Sequence, residues 1–176
     1  NIQPDLLMSV TPSFTYKGFT LSALFDMKFG GDVVSVSEAI ATSHGISKRT
    51  EQRGELLLPG MNEDGTVNTQ RIDAQLFYQA VGGRQQAVAE EFVYNASFIR
   101  LKEISFGYSF PSLLLRKTPV SSLRVSFVGR NLAYLMKHTP GTSPEGGYDT
   151  SMFSQALDFS SLPYSRTFGF SINVGF

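Results

Sequence analysis

Two histidines, His44 and His138, are the only imidazoles in the 176-residue chain, and the chain has no cysteine. They fall in different connecting segments, so neither a thiolate–imidazole pair nor a mixed metal set forms around them. The run Asn62-Glu63-Asp64-Gly65 has the oxygen ligands and the glycine of a calcium loop. It lacks the spaced carboxylates and distal glutamate that complete one, and it reads as a turn. Gly82-Gly83-Arg84 follows no strand and opens no convincing helix, so it makes no phosphate cradle. Asn95-Ala96-Ser97 has the form of a glycosylation sequon but sits at a strand start, where it carries no functional weight. No acid/base pair or activated nucleophile emerges. The expectation is a protein that is not an enzyme and uses no metal and no cofactor.

What remains is a set of charges and aromatics. Arg124 and Arg130 share one parity of a strand-like stretch, and Asp26 and Lys28 share one parity of another. Same-parity residues of a strand point to one face. The two arginines would therefore project from one inner wall, to pair with carboxylates of a plug packed against it or to touch a substrate in a lumen. Asp26 and Lys28 would pair with each other or with neighbours. Phe77, Tyr78, Phe92, Tyr148 and Phe153 lie in connecting segments, where they could stack on a sugar, contact a partner protein or pack the segments together.

The elements that position these residues are strands, because the period is two almost wherever a period exists. The first runs over 6–16, with Leu6, Met8, Val10, Phe14 and Tyr16 on one face. The second runs over 19–29, with Phe19, Leu21, Ala23, Phe25, Met27 and Phe29 on one face. Only Lys17-Gly18 lies between them, a two-residue hairpin turn that pairs Tyr16 with Phe19 and brings both apolar rows to one side. Pro12 interrupts the first strand and predicts a bulge or an edge position. A third strand spans 97–110; its apolar row slips phase between Leu101 and Ile104, which predicts a bulge near Lys102-Glu103 or a strand end that rises out of the apolar zone. A fourth spans 122–134 and a fifth spans 165–176.

Connections of two, about 67, eleven and about thirty residues alternate short, long, short, long. That is the pattern of a transmembrane β-barrel, with tight periplasmic turns (17–18 and 111–121) and long extracellular loops (30–96 and 135–164). Within the first long connection, "RIDAQLFYQAV" and "QQAVAEEFVY" predict short helices flanking Gly82-Gly83.

Composition agrees. Charged residues are 17% of the chain, below the roughly 25% of soluble domains, while 41% are hydrophobic and 12% aromatic. Net charge is zero, which gives no case for nucleic acid. Locally, 30–96 holds five basic and nine acidic residues (net −4), and 97–176 holds eight basic and four acidic (net +4). No apolar run is long enough for a transmembrane helix. The opening residues, "NIQPDLL", read as the middle of a longer protein.

The polar row of the last strand is Thr167, Gly169, Ser171, Asn173 and Gly175. Small uncharged residues suit an inner wall with something packed against it, so the opposite row of aromatics would face lipid. Five strands cannot close a membrane barrel, and two open edges would leave backbone groups unsatisfied in lipid. The chain would then be part of a larger barrel. Alone in detergent-free buffer it should aggregate or pair edge to edge, and a monodisperse, cooperatively melting monomer would speak against this reading.

The segments "LLLPGMNEDGTVNTQ", "AEEFVYNASFIRLKEISFGYSFP", "SSLRVSFVGRNLAYL" and "SRTFGFSINVGF" together resemble the C-terminal end of SusC/RagA-type TonB-dependent outer-membrane transporters, from about Pro4 to Phe176. The resemblance implies an all-β, antiparallel fold: the last five strands of a 22-stranded, plugged barrel in the bacterial outer membrane. It implies import of glycans or peptides powered through the TonB system, with a SusD-like surface lipoprotein as lid. It also implies that Phe168, Phe170, Ile172, Val174 and Phe176 form a signal for the barrel-assembly machinery. The plug and the TonB-contacting segment are absent from the sequence. Two other readings stay open on the residues: a porin or adhesin barrel without TonB coupling, and a soluble secreted β-sandwich that binds carbohydrate.

Overall fold

The computed structural model describes residues 1–176 except Gln86, Thr142, Gly146, Asp149, Thr150, Met152 and Phe153. In chain order the elements begin with strands β1 (Leu6–Val10), β2 (Ser13–Tyr16), β3 (Phe19–Phe29) and β4 (Asp32–Ser35), then helix α1 (Val36–Ser43). Strands β5 (Glu55–Leu57) and β6 (Arg71–Asp73), helix α2 (Ala74–Val81) and strand β7 (Val93–Asn95) follow. The long strands β8 (Phe98–Ser109) and β9 (Ser122–Lys137) flank a single helical turn, α3 (Ser112–Leu115). The short β10 (Leu157–Asp158) and the closing β11 (Thr167–Gly175) end the chain.

One antiparallel sheet carries the architecture, in the order β1-β3-β8-β9-β11, with β2 also on β3. Each long strand pairs with the next long strand in sequence, as in an up-and-down wall. The β2–β3 turn has positive φ at both Lys17 (48°) and Gly18 (88°), the backbone of a type I′ turn. Tyr16 pairs with Phe19. A side chain at Gly18 would also meet the carbonyl of Ser109 at 2.9 Å, so this position excludes one on two grounds.

Pro12 interrupts the first strand differently from expectation. The stretch 6–16 is two strands, β1 and β2, yet Val10 pairs with Phe25 and Ser13 with Ser22, so no residue is inserted between them. No bulge forms there. Proline accepts a bond from the Ala23 N–H at 3.1 Å but has no N–H to return, and the ladder lapses for that reason alone. The position is on the edge of the sheet, where such a gap is tolerated.

The phase slip in β8 has a structural cause at Lys102. Leu24 pairs with Glu103 while Phe25 pairs with Leu101, so Lys102 is the extra residue of a bulge. The shift brings Ile99 and Leu101 onto the face of Ile104, Phe106 and Tyr108. Strand β9 answers with Asn131, which has a positive φ of 54°, and continues past 134 to Lys137. Asparagine is one of the few side chains that adopt this conformation readily.

Two faces result. One is an apolar row of Met8, Phe14, Phe19, Phe106, Phe127, Phe168 and Phe170 among others, with Phe170 79% exposed. Phe127 stacks on Phe168 at 6.0 Å and meets Phe170 at 5.5 Å, directly tying β11 to β9. Phe176 lies just beyond β11 and is 89% exposed. The other face is polar.

The segment 30–96 is not an irregular loop. Strands β10, β4 and β7 form a small sheet, with β10 parallel to β4, which ties the two long connections together. Ser35 caps α1 by accepting from the Glu38 N–H, and Asp73 caps α2 by accepting from Gln75 and Leu76. The two helices pack closely beside Gly82, where an added Cβ would sit 2.7 Å from the Ala39 carbonyl. The buried apolar core (Val33, Ala39, Leu56, Ala74, Phe92, Ala96 and Phe98) belongs to this unit and its junction with the sheet. The second predicted helix is only a 3₁₀ turn, Ala89–Phe92, leading into β7. The β-branched Val93 and aromatic Tyr94 prefer the extended chain.

Candidate functional site

The polar face gathers its charges around Arg100. This side chain stands on β8 just before the bulge, and only 6% of it is exposed. Its Nη2 donates to Asp26 Oδ2 of β3 at 3.1 Å, and its Nη1 donates to Glu145 Oε2 at 2.5 Å. Lys102 Nζ reaches the same Asp26 oxygen at 3.1 Å, and Ser9 Oγ donates to the other carboxylate oxygen at 2.8 Å. Tyr134 on β9 donates its hydroxyl to Glu145 at 3.0 Å and lies 2.8 Å from Ser143 Oγ. The guanidinium carbon also sits 5.3 Å from the Tyr164 ring centre and 5.9 Å from Phe98, within cation–π reach.

Register explains the grouping. Asp26 lies opposite Arg100, which lies opposite Tyr134, so three neighbouring strands present one row. The segment 138–166 folds over that row and supplies Ser143, Glu145 and Tyr164. Between the segment and the wall is a cleft of about 140 Å³, lined among others by Arg100, Tyr134, Lys137, Tyr164 and Arg166. A larger cleft, about 550 Å³, opens between α1 and α2 beside His44, Arg53 and Asp73. It is set in the 30–96 unit and away from the row.

Of the residues singled out by spacing, Asp26 enters the cluster, with Arg100 and Lys102 as partners and not Lys28. Lys28 lies two residues along the same row, opposite Phe98. Arg130 donates from Nε to Glu103 Oε2 at 2.8 Å, within the wall itself. Arg124 packs over Gly107, its Nε 3.3 Å from where a Cβ there would stand. The two arginines are on the same polar face but in separate settings.

The aromatics divide. Phe92 is only 1% exposed, with Arg49 over its ring at 5.0 Å, so it is core and offers no stacking surface. Tyr78 is half-buried and donates its hydroxyl to the Arg49 carbonyl at 2.9 Å, with Phe77 edge-on at 5.5 Å. Tyr148 is exposed beside Phe159. Phe153 lies outside the described residues.

Arg100, Glu145, Tyr134 and Tyr164 were not among the residues singled out. The one available signal was a basic residue set between Ile99 and Leu101 where the apolar phase slips.

No protein-family model matches the chain. Over 98% of its length it is 29% identical to the TonB-dependent receptor P3 of Formosa agariphila, covering 16% of that receptor. Its fold superposes on the RagAB peptide importer in the open-open state, with a TM-score of 0.65 and 19% identity over 99% of the chain. In sequence and in fold the chain is similar to SusC/RagA-type TonB-dependent transporters. The closed-closed state of the RagAB peptide importer gives a TM-score of 0.64 and 20% identity. The SusC/RagA-like chain spans about one sixth of the length of these relatives. Its sheet is accordingly of the antiparallel barrel type.

Proposed function

We propose that the chain is the C-terminal barrel segment of a TonB-dependent importer in the bacterial outer membrane, acting by transport and not by chemistry. The observation that carries the reading is the sheet's continuous apolar face, laid over a polar face on which Asp26, Arg100, Lys102 and Glu145, and Arg130 with Glu103, form ion pairs. In water such a face is a liability; against lipid it is the stable arrangement. Strand β3 has eleven residues, about 36 Å at roughly 3.3 Å each, which tilted by about 45° spans the ~25 Å apolar band of an outer-membrane barrel.

In this reading the apolar row faces lipid, the polar face lines the lumen against a plug, and 30–96 and 135–164 lie outside the cell. The segment completes a 22-stranded barrel, takes up glycans or peptides, and works with a SusD-like lipoprotein as lid and with the TonB system for energy. Phe168, Phe170, Ile172, Val174 and Phe176 serve barrel assembly. The similarity of fold to the RagAB peptide importer supports an oligomeric solute of this general kind.

The intact mass of the native polypeptide carrying this sequence, taken from an outer-membrane fraction, tests the proposal. A polypeptide several times longer than 176 residues is expected. A native chain of about this length would leave the strands with no barrel to join and would return the soluble sandwich to the front.

A further inference from the structure

The charges of the wall are sorted along its length. Register aligns Ala23, Ile104, Gly129 and Phe168 in one row across β3, β8, β9 and β11. On the turn side of that row lie residues 12–23, 104–129 and 168–176. These stretches contain four basic residues, Lys17, Arg116, Lys117 and Arg124, and none of the chain's fifteen Asp and Glu. A carboxyl terminus at Phe176 would lower the balance from four to three. Glu103, the carboxylate of β8, is held by Arg130. It stands six residues (103 to 109) from Ser109, where the strand meets the Gly18 carbonyl, about 20 Å at roughly 3.3 Å each. That is about twice the screening length of roughly 8–10 Å, so the turn end keeps its positive charge.

Three of the four cations are exposed; Arg124 is half-buried on the polar face. Lys17 folds over the Tyr16 ring, its Nζ 5.2 Å from the ring centre, and Tyr16 pairs with Phe19 of the apolar row. Arg116 and Lys117 form no ion pair among the described residues. They follow the α3 turn, whose Leu113 and Leu114 are 71% and 67% exposed. The backbone there is ordered: the Leu114 N–H donates to the Pro111 carbonyl at 3.0 Å and the Thr118 N–H to the Leu115 carbonyl at 2.8 Å. The Ser121 N–H ties the same segment to the Gly175 carbonyl at 2.7 Å. The two leucines are thus held in the open. Just before them the aromatic row closes with Phe19, Tyr108 and Phe110, successive ring centres 4.6 and 5.0 Å apart. Exposed leucines and aromatics beside unpaired cations suit a bilayer boundary, with apolar groups among acyl chains and cations among phosphates.

We propose that the two turns, 17–18 and 111–121, form a docking surface for anionic phospholipid. Lys17, Arg116 and Lys117 bind headgroup phosphates, and Leu113 and Leu114 seat among the acyl chains. The proposal rests on the barrel reading above, which puts these turns at the periplasmic leaflet. Charge complementarity selects the occupant. A zwitterionic headgroup offers each cation a phosphate together with its own ammonium, whereas an anionic headgroup offers the phosphate without that opposing charge. Each Lys or Arg near an anionic lipid surface is worth about a factor of five.

The test uses the native full-length polypeptide in neutral detergent, mixed with equal amounts of phosphatidylglycerol and phosphatidylcholine. Bound lipids are counted by native mass spectrometry. Phosphatidylglycerol should exceed phosphatidylcholine about tenfold or more, in keeping with two or three such cations. The triple variant Lys17→Gln, Arg116→Gln and Lys117→Gln should bring the ratio near one. Lys117→Gln alone, on the exposed turn, should cut it severalfold and does not depend on the triple variant folding. Lys48→Gln, in the 30–96 unit, should leave it unchanged. Leu113→Ser with Leu114→Ser should lower both lipids together. Inorganic phosphate at the lipid concentration should displace neither. Equal binding of the two lipids, a preference that survives the triple variant, or displacement of phosphatidylglycerol by inorganic phosphate would overturn the proposal. Failure of the barrel reading would appear separately, as a polypeptide that is not recovered from the outer-membrane fraction.

Discussion

Arg100 and Glu145 stand 2.5 Å apart although 45 residues separate them, and Asp26, 74 residues away, holds the other arm of the same guanidinium. One side chain thus joins two strands and the segment that covers them. Replacing it by Met would leave the partly buried Glu145 without its cation and Asp26 with Lys102 alone. Breaking a buried pair in this way costs about 3–5 kcal/mol. Arg100→Met should lower the melting temperature of the detergent-solubilised native polypeptide accordingly. An unchanged melting curve would mean that the cluster contributes nothing to stability.

The turn between β2 and β3 makes a sharper demand. Gly18 has φ of 88° and faces the Ser109 carbonyl, so Gly18→Ala should destabilise by about 1–3 kcal/mol. Lys17 carries αL strain without that contact, and Lys17→Gly should raise stability by up to about 1 kcal/mol. Urea midpoints of the two variants should move in opposite directions; a shift of the same sign in both would refute the I′ assignment.

Tyr94 gives the 30–96 unit a pH dependence. Burial holds its hydroxyl above the ordinary tyrosine range, and the Glu38 carboxylate adds to the shift. The folded unit favours the neutral ring, so its stability is intact below about pH 10, the unfolded value, and declines as pH rises through the higher folded value. Protease resistance of the unit should fall above about pH 10, and Tyr94→Phe should abolish that slope.

If the closing row serves assembly, deleting Phe176 should reduce the amount of transporter in the outer membrane several-fold while leaving its synthesis unchanged. The residue is 89% exposed and outside β11, so its loss removes little packing. Equal membrane levels with and without Phe176 would remove that role.

The pairing of Tyr16 with Phe19 was legible because a two-residue turn leaves no freedom of register. The slip at Lys102 was legible because period two has only two phases, and Leu101 and Ile104 are in different ones. Asp26 was assigned to Lys28 or a near neighbour because no local pattern reveals a cross-strand partner 74 residues away. Glu145 was invisible for a stronger reason: a covering segment has no period, and its contacts depend on where the whole segment lands. Phe92 was left between stacking surface and segment packing, because no local pattern reveals that the 30–96 unit has its own small core. The capping signal Ser35-x-x-Glu38 was present in the sequence and went unread, and with it helix α1.

The bulge at Lys102 makes β8 two strands in different frames, joined by one surplus residue. Removing Lys102 itself would merge the frames: Ile99, Leu101, Ile104, Phe106 and Tyr108 would then alternate without interruption, and Asp26 would lose one cation. Removing Ser105 instead would turn Phe106 and Tyr108 onto the polar face and deliver Gly107 and Ser109 to the apolar one. A single-residue deletion in this strand is therefore either nearly silent or an inversion of the wall, depending on whether it falls on the surplus residue or beside it.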